Sequence, residues 1–117
     1  MKILKVYKVI NCNKTLYKMF QQQKTFPISV GFKLFKIMKL FDEVEEYVFN
    51  TMENTFENFK FENMDDNEKM FYNSLLSSDI ELNYEKVNPS YFEDNDDLKL
   101  TIEDIDNLSI IFTEKSQ

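Results

Sequence analysis

The sequence contains no histidine, no arginine and no tryptophan, and its 117 residues include one glycine, one cysteine and two prolines. Each absence removes a chemistry. Without histidine no Ser-His-Asp or Cys-His triad can be assembled. With only one thiol besides, the usual nitrogen and sulfur donors of a transition-metal site are missing. Gly31 alone cannot form a glycine-rich phosphate loop. Cys12 has no partner for an internal disulfide, which fits a reducing compartment better than a stapled secreted scaffold. No apolar run approaches the ~20 residues that span a bilayer. Ile3 to Ile10, interrupted by Lys5 and Lys8, does not read as a signal peptide. A Lys, Tyr or carboxylate enzyme is compatible with this composition, but no motif points to one. The expectation is therefore a protein that is not an enzyme and takes no cofactor, no metal and no small-molecule substrate.

What is present is a charge asymmetry. Nine lysines (Lys2, Lys5, Lys8, Lys14, Lys18, Lys24, Lys33, Lys36 and Lys39) precede Asp42, and no acid does. From Asp42 onward there are five lysines against 21 acids, so the two parts carry +9 and −16 within a net charge of −7. A basic amino half with Tyr7, Tyr17, Phe20 and Phe32 has the composition of a nucleic-acid face. Against that, no arginine is available to fork onto a phosphate or a base edge, and the acidic half repels a polyanion. Pairing of the two halves, within one chain or between copies, is the preferred expectation.

The strongest periodic signal runs from Ile28 to Lys60. Leu34, Ile37, Phe41, Val44 and Val48 alternate steps of three and four, and Met52, Phe56 and Phe59 continue the stripe. Lys36, Lys39, Glu43, Glu46, Asn50, Glu53 and Glu57 keep the same step on the opposite side. Thirty-three residues make a rod of roughly 50 Å. Such a rod must protrude, break near Asn50 to Asn54, or find apolar cover from another subunit; a core helix packed within its own chain is the preferred expectation. Its charges oppose the helix macrodipole, with Lys33, Lys36 and Lys39 near the start and Glu53 and Glu57 near the end. The expected compensation is the chain itself, its acidic tail covering the basic start of the helix.

Around this helix the chain reads as follows. Residues 3–12 fit a strand, through Val6, Val9 and Ile10, or a helical face; a helix is expected over at least Lys14 to Gln23. Thr25-Phe26-Pro27 breaks it, since proline cannot continue one helix but can open the next. Gly31 marks either a close helix contact or a later helix start. After a loop from Phe61, Glu68 to Leu76 reads as a short helix ended by Ser77-Ser78. Ile80, Leu82 and Tyr84 alternate with Glu81, Asn83 and Glu85 as a strand, and Leu98-Lys99-Leu100 reads as another. Thr101 is a good N-cap for Ile102 to Leu108, with Asp104 at the third position. Glu93, Asp94, Asp96 and Asp97 superficially suggest a calcium loop. The glycine and the bidentate acid of such a loop would fall at Lys99 and Ile105, so a solvated loop is expected.

The order Asn13-Lys14-Thr15-Leu16, then Gln23-Lys24-Thr25-Phe26-Pro27-Ile28-Ser29-Val30-Gly31-Phe32-Lys33-Leu34-Phe35-Lys36, resembles a widespread family of small bacteriophage proteins. Ile80-Glu81-Leu82-Asn83-Tyr84-Glu85 and Leu98-Lys99-Leu100-Thr101-Ile102-Glu103-Asp104-Ile105 extend the resemblance over most of the chain. The family's glycine-containing turn after the long helix is absent here, and its more basic stretch is replaced by Met38 to Phe41. The resemblance implies a phage origin and transfers no activity.

These readings combine into one expectation. The fold is α+β and mainly helical: an antiparallel helix pair with one long helix and a small C-terminal β element. It forms a single domain over residues 1–117, helical to 76 with an α/β tail over 77–117. The function is protein–protein contact in a minor virion or assembly component, in the virion or the host cytoplasm, with no membrane role. Its contact residues are Lys33, Lys36 and Lys39 on one copy or partner and Glu93, Asp94, Asp96 and Asp97 on the other. The alternative is an acidic inhibitor that imitates nucleic acid to block a host or defence enzyme.

Overall fold

A computed structural model describes residues 2–22, 26–93 and 98–113. The fold is mainly helical with one two-stranded antiparallel sheet, so the α+β expectation holds. Strand β1 (Lys2–Lys5) runs directly into helix α1 (Val6–Gln22), and α2 (Ile28–Thr55) follows the proline break. A 3-10 turn (Phe61–Asn63), α3 (Asp66–Leu76), β2 (Asp79–Leu82), the short α4 (Ser90–Glu93), α5 (Ile102–Leu108) and a second 3-10 turn (Ser109–Ile111) complete the order.

The predicted stripe is the buried face of α2. Leu34, Ile37, Phe41, Val44, Val48 and Met52 are all buried along its 28 residues. Each such side chain contributes about 1.5–3 kcal/mol on leaving water, so cover for this face comes from the chain itself. The helix of roughly 42 Å fits within the 47 Å long axis of the molecule and does not protrude. It stops at Thr55, short of Lys60. Phe56 is extended at the cap, and Asn58 takes φ 56°, a left-handed value that asparagine tolerates. Phe56 and Phe59 therefore leave the stripe. Phe56 meets Phe71 edge-on, and Phe59 packs on Phe61, which also contacts Phe49 and Tyr72.

The centre of the molecule is α1 rather than α2. Its residues Val6, Val9, Ile10, Cys12, Asn13, Thr15, Leu16 and Met19 are buried, because it touches α2, α3, α5 and the last 3-10 turn. A helix packed on several sides needs more than one apolar stripe, which is why its pattern fits several readings.

The ambiguity over residues 3–12 resolves as both. Lys2 to Lys5 pair with Leu82 to Asp79, and the helix starts at Val6, whose N–H donates to the carbonyl of Ser78 (3.0 Å). The β element thus joins the amino terminus to the carboxyl third. Leu98-Lys99-Leu100, expected as a strand, is not one. Leu98 is buried, while the Lys99 N–H donates to Oε1 of Gln22 (3.0 Å) instead of a neighbouring strand.

Helix starts follow their caps. Thr101 and Asp104 form the expected capping box, with reciprocal bonds of 3.0 Å. Helix α3 begins two residues before the expected Glu68, because Asp65 and Glu68 form a second box. Gly31 marks a contact, but with the preceding break: a Cβ there would lie 3.2 Å from Cβ of Phe26. Phe26 in turn packs between Phe20 and Tyr91, at 4.8 and 5.8 Å between ring centroids.

Carboxyl-terminal residues close over α1. Val87 donates to Ile111 (2.8 Å) and accepts from Thr113 (2.9 Å) in a parallel bridge. The Tyr84 hydroxyl donates to the carbonyl of Ile110 (2.7 Å), and its ring meets Phe41 edge-on.

Candidate functional site

The outer face of α2 is the most unusual surface among the described residues. Ile28, Phe32 and Phe35 are 88, 60 and 55 % exposed on consecutive turns. They reach the surface because the opposite side of the same turns is filled by Leu34, Ile37 and Phe41. Between this part of α2 and Asn83-Tyr84-Glu85, just beyond β2, lies an open groove of about 590 Å³. Ile28, Phe32, Ile37, Leu40 and Tyr84 give it apolar walls, with Lys33, Lys36 and Glu85 among the polar lining residues.

Lys33 and Lys36, both expected as contact residues, thus line one groove. Lys33 lies 3.7 Å from Glu85, an acid not anticipated as its partner. Both side chains are largely exposed, so this pair is worth little. Lys36 lies over the Phe32 ring (4.8 Å) and Lys39 over the Phe35 ring (5.8 Å). Cation–π contacts at such exposed positions contribute about 0.5–1 kcal/mol and hold the ammonium groups beside the rings. Neither Lys36 nor Lys39 forms an ion pair with a described residue. Asp94, Asp96, Asp97 and the side chain of Glu93 lie outside the described residues.

Beyond Lys39 the same face changes sign. Glu43, Glu46, Asn50 and Glu53 are exposed, with Tyr47 at 66 % exposure beside them. Helix α2 has no acid in its first turn and no base in its last, so both charge blocks oppose its macrodipole.

Elsewhere the two oppositely charged parts of the chain do pair within one molecule. Lys5 meets Asp79 across the sheet, and Lys18 meets Asp104 between α1 and α5. Burial pushes the Asp104 carboxyl up. The Lys18 hydrogen bond, the Thr101 backbone and hydroxyl bonds and the Lys18 charge outweigh that, leaving it below the ordinary carboxylate range.

A polar cluster that the sequence reading missed lies between α1 and α2. The buried Asn13 amide donates to Oδ1 of Asp42 (2.8 Å) and, at 3.4 Å, to Oε1 of Glu45. The Tyr17 hydroxyl lies 2.9 and 2.8 Å from the two Asp42 oxygens. Burial pushes the Glu45 carboxyl up, partly countered by the Asn13 bond. The bond to Asp42, followed by burial, pushes the Tyr17 hydroxyl up. Oδ1 of Asn13 is buried with no hydrogen-bond partner. The amide nonetheless keeps this orientation, since the flipped one would set its oxygen against two carboxylates. The available signal was an asparagine on the apolar face of α1.

These groups do not form a metal centre: no cluster of three or more potential ligating side chains occurs among the described residues. Burial pushes the Cys12 thiol up to about 12, which leaves it a small core side chain at neutral pH. No described helix is long and apolar enough to cross a membrane. No protein-family model, curated protein or solved structure matches the chain.

Proposed function

We propose that this chain is a non-enzymatic bacteriophage protein that acts through protein–protein contact, as a minor virion or assembly component, and docks through the outer face of α2. The observation that carries the reading is the exposure of Ile28, Phe32 and Phe35 directly beside Lys33, Lys36 and Lys39. Exposed aromatic residues with a basic border suit a partner surface that is apolar at its centre and acidic at its rim. The phage setting rests on the sequence resemblance.

The test is quantitative mass spectrometry of particles from the phage that encodes the chain. A fixed small-integer copy number is the expected result, with loss from particles when Lys33, Lys36 and Lys39 are all replaced by Glu. Abundant protein in infected cells but none in particles at any stage of assembly would overturn the virion and assembly reading.

One observation favours a second reading, inhibition by nucleic-acid mimicry. Glu43, Glu46 and Glu53 are exposed along one straight helix face and form no ion pair with a described residue. Under that reading the triple Lys→Glu variant still inhibits its target enzyme, and replacing these three acids by Gln abolishes inhibition.

A further inference from the structure

The outer face of α2 is self-complementary, and we infer that its partner is a second copy of the same chain, packed with the two α2 helices antiparallel about a twofold axis. The inference rests on the protein-contact reading above and names the partner for that face. Reversing the order of charges along the helix turns basic into acidic. With the axis passing between Lys39 and Glu43, Lys39 meets Glu43 of the second copy and Lys36 meets Glu46, while Phe35 and Tyr47 flank these pairs on the two edges of the strip. Each contact occurs twice, as an isologous interface requires. The facing residues are exposed, and Phe35 and Tyr47 are each more than half open to water.

A second observation points the same way. Along α2 the lysines occupy the amino half and the glutamates the carboxyl half, the order that a lone helix disfavours. In an antiparallel pair each basic half lies against the acidic half of its neighbour, so the arrangement that weakens one helix favours two. Elsewhere the chain pairs its lysines internally, through Lys5–Asp79, Lys18–Asp104 and Lys33–Glu85. Among the described residues Lys36 and Lys39, like Lys8 and Lys14, form no ion pair, and they alone of these four lie on the exposed face of α2.

The size of the face sets the strength expected. A strip roughly 42 Å long and about 10 Å wide is smaller than the ~800 Å² per partner of a standard interface. The dimer therefore forms at micromolar or higher protein concentration. It also weakens as salt screens the ion pairs.

Sedimentation equilibrium of the whole chain at low and high salt tests this. The wild type is expected to be a salt-sensitive dimer. Both K36E/K39E and E43K/E46K are expected to be monomeric under the same conditions, with self-association weaker by on the order of a hundredfold. Mixing the two variants should restore a heterodimer, because one then presents only acids and the other only bases. The swapped variant K36E/K39E/E43K/E46K should restore the homodimer. A second readout is a double variant, F35C/Y47C. These positions are twelve residues apart on one helix but at the same level on the two edges of the interface between copies, so a short bifunctional thiol reagent, unable to bridge them within a chain, should give covalent dimers.

A monomeric wild type at high concentration, or a dimer indifferent to either charge reversal, overturns the inference. Neither result touches the wider protein-contact reading, which fails only if the chain is absent from particles and from their assembly intermediates.

Discussion

Replacing Asn13 by Asp keeps the size of the side chain but sets a third carboxyl group beside Asp42 and Glu45 inside the α1–α2 contact. The amide nitrogen now 2.8 Å from Asp42 becomes a carboxylate oxygen. Two unit charges about 4 Å apart repel by about 4 kcal/mol at an effective dielectric constant near 20. The molecule can escape this by binding a proton shared between the carboxyl groups. Starting from a free carboxyl pKa near 4, holding that proton at about pH 7 costs roughly 4 kcal/mol as well. The variant is thus less stable than wild type by about 4 kcal/mol at neutral pH, a large part of the ~5–15 kcal/mol that domains possess. The folded-state pKa is raised above the unfolded value. The penalty is therefore absent below the unfolded pKa and grows as pH rises towards the folded one, by about 1.4 kcal/mol per pH unit. Urea unfolding of both proteins at several values between about pH 4 and about pH 7 measures this slope. A difference in stability that does not change over this range would refute the placement of Asn13 against the two carboxylates.

Three further outcomes follow from the same structure. Thr101→Ala removes one arm of the α5 capping box and should cost about 1 kcal/mol in urea unfolding. Asp104→Asn removes a carboxylate held below its ordinary pKa. Its contribution is present above the unfolded value of about 3.9 and lost as pH falls through the folded one, so wild type and variant should converge between about pH 5 and about pH 2. Cys12, buried with its thiol pushed up to about 12, should resist thiol reagents in the native protein and react at the rate of global unfolding. Rapid labelling without denaturant would contradict its place in the core.

Local signals made the helical part of this fold readable. Steps of three and four from Leu34 to Val48 identified the buried face of α2, because such spacing reports one wall of a helix whatever covers it. Proline at 27 marked a helix start through its fixed backbone, and threonine at 101 marked one through a hydroxyl that accepts from the Asp104 N–H. What escaped depends on distant partners. Lys2 to Lys5 are a strand because Asp79 to Leu82 lie beside them, and nothing within ten residues indicates that neighbour. Leu98 to Leu100 have strand-like residues but no strand to join; the Gln22 side chain takes the Lys99 amide. At the site, Lys33, Lys36 and Lys39 were visible as a run of like charge. Their division was not: Lys33 is drawn to Glu85, while Lys36 and Lys39 lie over phenylalanine rings. The placing of Glu43 and Glu46 on the same exposed face as Lys36 and Lys39 was legible from their three-four spacing.

The pairing of β1 with β2 also sets an order of events when the chain folds. Its nearest partners, Lys5 and Asp79, are 74 positions apart, and closing so long a loop costs roughly 4 kcal/mol in entropy for a flexible chain. A four-residue pairing cannot offset that alone. Once α1, α2 and α3 have packed, however, the ends of the loop are already near each other and most of the cost has been met. Lys2 to Lys5 are therefore among the last residues to become ordered, and the backbone of Ile3 and Leu4 stays open to solvent until the three helices have docked.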